Sequence, residues 1–82
     1  MVKILYFGVL RDRLGRDSEQ LDWVGGTTAD LLQQLRSRGA EWEAALAPEQ
    51  VFRLVVNQQM AYGDVVVPDG AEVGILPPVT GG

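Results

Sequence analysis

The sequence predicts an α+β fold: a mixed β-sheet of about five strands with one main helix packed on one face. Three observations carry that prediction. The 82 residues suffice for one domain and leave no room for a second. The hydrophobic pattern runs strand, strand, helix, strand, strand, strand, with no internal repeat or long linker. Between Thr27 and Gly39 the spacing of Leu31, Leu32 and Leu35 makes a single apolar stripe, enough for a helix to cover one face of a sheet.

Val2 to Val9 alternates and is rich in strand formers, so it reads as the first strand. Leu10 to Leu14 is long enough for one helical turn, which Gly15 stops. Glu19 to Val24 is the second strand, with Leu21 and Trp23 on one side and Gln20 and Asp22 on the other. Gly25-Gly26 ends it. Thr27 or Thr28 then caps the main helix, and Asp30 in its first turn suits the helix dipole. Gln33, Gln34, Arg36 and Arg38 cover the side away from the stripe, and Gly39 is the C-terminal stop. Glu41 to Ala47 is a short second helix that presents Trp42, Ala45 and Leu46 together and ends before Pro48. Val51 to Val56 is the third strand, and Asn57-Gln58 turns it into a short strand over Gln59 to Ala61. Val65 to Val67 is another extended piece, Pro68-Asp69-Gly70 a turn, and Glu72 to Leu76 the final strand. The first and last strands are expected side by side at the centre of the sheet.

Several strands are apolar on both faces, which one helix stripe cannot bury. Val2, Ile4 and Tyr6 oppose Leu5 and Phe7; Phe52, Leu54 and Val56 oppose Val51 and Val55; Val73 and Ile75 oppose Leu76. The uncovered face is a candidate docking surface. Gly74, inside the last strand, is expected to mark a bend or a close neighbouring backbone.

Composition excludes more chemistry than it supplies. There is no cysteine and no histidine, so disulfides, thiol nucleophiles, imidazole acid–base chemistry and Cys/His metal sites are absent. Asp12, Asp17 and Asp22 lack a metal-binding spacing, and no metal is expected. A net charge of −4 argues against nucleic acid. Residues 1–41 balance six basic against six acidic side chains, whereas residues 42–82 hold Arg53 alone against five acidic ones. That excess reads first as ordinary solubility and second as steering toward a basic partner. No signal-peptide pattern or bilayer-length apolar run is present, so the expected compartment is the cytoplasm and no membrane partner is expected. Trp23 and Trp42 read as core or rim aromatics, and Arg11, Arg13 and Arg16 as a solvated face.

The chemistry is expected at the other end. The sequence finishes Pro77-Pro78-Val79-Thr80-Gly81-Gly82. Paired prolines favour an extended path, and six extended residues reach roughly 20 Å. Glycines without Cβ atoms suit entry into a narrow site on another protein. The domain is thus expected over residues 1–76 and an extended tail over 77–82, with the Gly82 carboxylate as the reactive group.

These residues resemble a family. The element order with a Gly-Gly end is similar to the ubiquitin-like β-grasp sulfur carriers, and among them to the small subunits of molybdopterin synthase. The likeness runs the full length. It rests on Val2-Lys3-Ile4-Leu5-Tyr6-Phe7, on Arg11 and Leu14-Gly15, on Val55-Val56-Asn57-Gln58, and on Asp69 to Val73 leading into Leu76-Pro77-Pro78-Val79-Thr80-Gly81-Gly82. The paired prolines point to the pterin branch rather than the thiazole-pathway carriers.

The resemblance implies a sulfur carrier that is no enzyme on its own and binds no cofactor. A ubiquitin-activating-like adenylyltransferase uses ATP to adenylate Gly82, a sulfurtransferase makes the thiocarboxylate, and the large synthase subunit receives the tail. There sulfur passes to cyclic pyranopterin monophosphate to build the dithiolene of molybdopterin, in a heterotetramer whose catalytic side chains lie on the large subunit. Pro77, Pro78, Val79, Thr80 and Gly81 are the expected tunnel-threading residues, and Phe7, Arg11, Arg53, Ile75 and Leu76 the docking candidates. Where relatives often carry aromatics near the end of the last strand, this chain has Ile75 and Leu76, so docking there is expected to use less area. The alternatives are a modifier joined to lysines through Gly82, a carrier for another thiolation pathway, and an inert binding module. Lys3 as the sole lysine limits self-linked chains.

Overall fold

The computed structural model of the chain describes residues 1–47 and 52–77. Seven strands and three short helices follow one another as β1 (Val2–Tyr6), α1 (Gly8–Leu14), β2 (Ser18–Leu21), β3 (Gly26–Thr27), α2 (Thr28–Arg36), α3 (Ala40–Ala45), β4 (Arg53–Val56), β5 (Gln59–Ala61), β6 (Val66–Val67) and β7 (Glu72–Leu76). Five strands form the main sheet in the order β2-β1-β7-β4-β5, and β3 pairs with β6 in a separate ribbon. β1 and β7 lie parallel at the centre, as expected, with Lys3 opposite Glu72 and Leu5 opposite Gly74. All other pairings are antiparallel.

The core lies between the sheet and the helices. Val2, Ile4 and Tyr6 of β1 and Val73 and Ile75 of β7 face Leu10 of α1, Leu31 and Leu35 of α2, and Ala45 and Leu46 at the end of α3. Three helices therefore share the covering that the sequence assigned to one main helix. Trp23 is buried as expected, and its indole N–H donates to the Val67 carbonyl at 2.8 Å, tying the β3–β6 ribbon to the body. Burying an indole without that acceptor would leave an unpaired donor.

Local sequence explains most boundaries. Thr27 caps α2 through a reciprocal box: its hydroxyl accepts from the Asp30 N–H while the Asp30 carboxylate accepts from the Thr27 N–H. A second carboxylate reaches the same helix end. Asp64, far along the chain, accepts from the Ala29 N–H at 2.8 Å and the Thr28 hydroxyl at 2.9 Å. These bonds hold the Asp64 carboxyl below its ordinary range, the Ala29 backbone donor contributing most. Asn57 and Gln58 both take positive φ, 50° and 68°, which is the geometry of a tight two-residue hairpin between β4 and β5.

Two expected strands end early. The first stops at Tyr6 rather than Val9, because Gly8 turns the backbone at φ 58° and opens α1. The second covers Ser18–Leu21 rather than Glu19 to Val24, because its pairing ends where Leu21 meets Val2; Val24 is 97% exposed. The third strand occupies Arg53–Val56, while Val51 and the Pro48 boundary of the second helix lie outside the described residues. Val66–Val67 joins the ribbon with β3, not the main sheet.

One polar cluster is built into the core face. Glu19 lies opposite Ile4 on β2, its side chain only 10% exposed. Arg38 donates to both its oxygens at 2.6 and 2.7 Å, the Tyr6 hydroxyl donates at 2.5 Å, and Arg16 stands 3.3 Å away. Burial works against the charged form of Glu19, but hydrogen bonds from Arg38 and Tyr6 and the nearby guanidinium charges outweigh it and hold the carboxyl below its usual range. Burial, followed by the bond to Glu19, pushes the Tyr6 phenol up. Trp42 closes the cluster, edge-on to Tyr6 at 5.8 Å with the Arg38 guanidinium 4.6 Å from its ring centroid.

Candidate functional site

The two central strands determine where the tail leaves. β7 ends at Leu76 and Pro77 follows immediately, half-buried against the start of α1. The Phe7 N–H donates to the Ile75 carbonyl at 3.2 Å, so the chain is still held to β1 one residue before the strand ends. A Cβ on Gly8 would stand 2.8 Å from Pro77 Cγ, closer than a side chain tolerates. Gly8 thus provides both the positive φ and the space that let the tail base lie where it does.

Beside that exit is the face of the sheet turned away from the helices. Leu5, Phe7, Val55, Gly74 and Leu76 wall a groove of about 180 Å³, with Gln58 and Glu72 also in its lining. Its floor is Gly74, paired with Leu5 on one side and Val55 on the other. Gly74 has no positive φ, so its backbone does not require glycine; the space above it does. The close neighbour is the Phe7 ring, whose Cε2 would lie 3.3 Å from an added Cβ, rather than the backbone expected from sequence. Lys3, Arg53 and Glu72 bring charge to this otherwise apolar face. Arg53 is exposed opposite Leu76, and Lys3 is exposed opposite Glu72. No helix of the described residues lies across it.

The structure divides the docking candidates. Phe7, 44% exposed, and the half-buried Leu76 meet at the groove, with Arg53 beside them. Ile75 does not belong with them: it is 0% exposed on the core face, because side chains alternate along a strand and its neighbours Gly74 and Leu76 take the outer side. Arg11 lies on α1, its guanidinium 3.7 Å from the Asp12 carboxylate, and does not line the groove. Pro78, Val79, Thr80, Gly81 and Gly82 lie outside the described residues. Leu5, Val55 and Gly8 were absent from the candidates. The strand alternation that separated Leu5 from Ile4 and Val55 from Leu54 was the signal for the first two.

Among the described residues no cluster of carboxylates can hold a metal ion, and no helix is long and apolar enough to cross a membrane. The chain has no cysteine and no histidine, and the described residues beside the tail base present a mainly apolar surface.

The model of the ThiS family matches residues 4–82. Molybdopterin synthase sulfur carrier subunits are similar end to end: that of Escherichia coli K12 is 33% identical and that of Haemophilus influenzae 30% identical, each over 100% of both chains. A solved Pyrococcus furiosus structure, described provisionally as molybdopterin converting factor subunit 1, superposes with a TM-score of 0.76 at 28% identity, over 95% of this chain and 97% of that one. The small archaeal modifier protein 1 of Methanosarcina acetivorans superposes with a TM-score of 0.72 over 99% of this chain and 95% of that one; at 23% identity it speaks for the fold alone. The fold is therefore the ubiquitin-like β-grasp, and the chain belongs to the ThiS family.

Proposed function

We propose that this chain is a sulfur carrier in molybdenum cofactor biosynthesis, the small subunit of molybdopterin synthase. The observation that carries the reading is the end-to-end likeness to two sulfur carrier subunits of that synthase. Under this reading the Gly82 carboxylate is the reactive group, and a chain with neither thiol nor imidazole side chains is compatible with that.

A carboxylate is a poor electrophile, and its oxide is a poor leaving group. An activating enzyme overcomes this with ATP, joining Gly82 to AMP as an acyl-adenylate and releasing pyrophosphate. A sulfurtransferase persulfide attacks the acyl carbon and AMP departs; a thiol then reduces the resulting acyl disulfide, leaving a thiocarboxylate. Its sulfur is anionic and polarizable, a better nucleophile than oxygen. The tail then enters the large synthase subunit, where the sulfur attacks a carbon of cyclic pyranopterin monophosphate and water cleaves the resulting thioester, returning the Gly82 carboxylate; two such rounds build the dithiolene. Pro77 to Thr80 thread the channel, and Gly81 clears its narrowest part. Phe7, Leu76 and Arg53 dock the partner, with Arg11 at the edge of that contact. The reading carries with it a cytoplasmic setting and a heterotetramer of two small and two large subunits.

Deletion of Gly82 tests the reading. The fold is expected to survive, since the core lies within residues 2–75, and dithiolene formation by the reconstituted synthase is expected to vanish. Normal product from the truncated chain would overturn it. Gly82-dependent conjugates on lysines, with no thiocarboxylate, would replace the carrier by a protein modifier.

A further inference from the structure

The turn that feeds β7 holds a reactive pair of residues. Of the six aspartates in the chain, only Asp69 is followed by glycine. That order favours attack of the following amide nitrogen on the side-chain carboxyl, because glycine has no Cβ to obstruct the approach. Pro68 to Ala71 form a tight turn, closed by the Ala71 N–H donating to the Pro68 carbonyl at 3.2 Å, with Gly70 at φ 89°. The Asp69 side chain is 65% exposed, so water reaches it. The Gly70 N–H lies near enough to the Asp69 carboxylate to help stabilise its charge.

Both reacting groups are held by one residue. The Met1 ammonium donates to Asp69 Oδ1 at 2.6 Å and to the Trp23 carbonyl at 3.0 Å. The Met1 carbonyl accepts from the Gly70 N–H at 2.8 Å. Trp23 is buried, so Met1 is anchored to the body while it grips the turn. The bond from the ammonium, then its charge, hold the Asp69 carboxyl below its ordinary range. Ring closure needs the opposite: a protonated carboxyl that can shed water, and an amide free to give up its proton.

We propose that Asp69-Gly70 is a site of backbone isomerisation, kept closed by the free amine and the carbonyl of Met1. When the grip is lost, the Gly70 nitrogen gives up its proton and bonds to the side-chain carbonyl carbon of Asp69. The carboxyl hydroxyl leaves with that proton as water, and a succinimide ring is closed. Water then opens the ring, and opening at the main-chain carbonyl leaves Gly70 attached through the side chain as an isoaspartate. Acylation of the Met1 amine loosens the grip, because it removes the charge that holds Asp69. The product reaches beyond the turn. The Ala71 carbonyl accepts from the Lys3 N–H at 3.0 Å, and Glu72 stands opposite Lys3. Isoaspartate adds one main-chain carbon, about 1.5 Å of chain, directly ahead of the register that aligns β7 with β1 and places the tail base. The inference stands apart from the sulfur-carrier reading.

Three full-length chains test it: the parent, one with Gly-Ser ahead of Met1, and one synthesised with the Met1 amine acetylated. Each is held at neutral pH, and isoaspartate is located by peptide mass spectrometry with electron-based fragmentation. Amide exchange of β7 is followed alongside. The expected result is isoaspartate at Asp69 forming about fivefold faster or more in the extended and acetylated chains than in the parent, the factor for losing a hydrogen bond or two, with β7 still protected at the outset. Asp69→Glu in the extended chain should abolish the product, because the longer side chain cyclises poorly. Equal rates in the three chains, isomerisation at Asp17 in place of Asp69, no isoaspartate in any chain, or acceleration only where β7 has lost its protection overturns the proposal.

Discussion

Replacing Glu19 by glutamine removes one charge from the Tyr6–Glu19–Arg38 cluster while keeping its volume. The carboxylate receives two bonds from Arg38, at 2.6 and 2.7 Å, and one from the Tyr6 hydroxyl. The amide keeps a single acceptor oxygen and points an N–H₂ at a cation or a phenol. Breaking one side of a buried ion pair costs about 3–5 kcal/mol. Here the Arg38 side chain is 27% exposed, so water recovers part of that loss. The expected cost is about 2–3 kcal/mol, equivalent to a fall in Tm of roughly 10–20 °C for a domain of this size. Urea unfolding monitored by tryptophan fluorescence measures it, because Trp42 sits against the Arg38 guanidinium. The pH dependence supplies a second check. The folded-state pKa of Glu19 lies below its unfolded value, so its contribution is fully present above the ordinary carboxylate range. It fades as pH falls below about 4.5 and through the folded pKa. The gap between parent and Glu19→Gln should narrow over that window. A cost below about 0.5 kcal/mol, the range of an exposed pair, or a gap indifferent to acid, would refute the reasoning.

Two further outcomes follow from the geometry. Gly8→Ala combines a positive φ with a Cβ 2.8 Å from Pro77 Cγ; thermal unfolding should show a loss of about 1–2 kcal/mol, and adenylation of the tail should slow beyond what that loss explains, whereas parent-like rates would mean that the tail base is free to shift. Asp64→Ala removes a remote cap from the Ala29 N–H; because the Asp64 pKa is depressed in the folded state, the resulting loss of stability should be present at neutral pH and shrink as pH drops through the carboxylate range, as read by chemical denaturation at stepped pH.

Much of the architecture was legible because it rests on local rules. Asn57-Gln58 announces a hairpin, Thr27 and Asp30 a helix start, and the β7 boundaries coincide with those read from Glu72 to Leu76. The errors have equally local causes. Val2 to Val9 is rich in strand formers to its end, and the positive φ at Gly8 marks where the strand stops. Asp64 caps a helix from 35 residues away, a distance over which no sequence spacing carries information. The Glu19 cluster was more accessible than it looked. The alternation that put Leu21 and Trp23 on one side put Glu19 there too, and a carboxylate on an apolar face calls for partners. At the site, alternation should have removed Ile75 from the docking candidates, since it shares a face with Val73. The groove itself was hidden, because its depth comes from three strands aligning Leu5, Gly74 and Val55 in one row, a register that no single segment encodes.

The central claim concerns one atom on Gly82, and mass spectrometry addresses it directly. The chain is produced together with its own activating enzyme and sulfurtransferase, and the intact protein and its C-terminal peptide are weighed. The account predicts replacement of one carboxylate oxygen by sulfur on Gly82, dependent on ATP and absent when Gly82 is deleted. An unmodified carboxylate after demonstrated adenylation, or lysine conjugates in place of the thiocarboxylate, would contradict it.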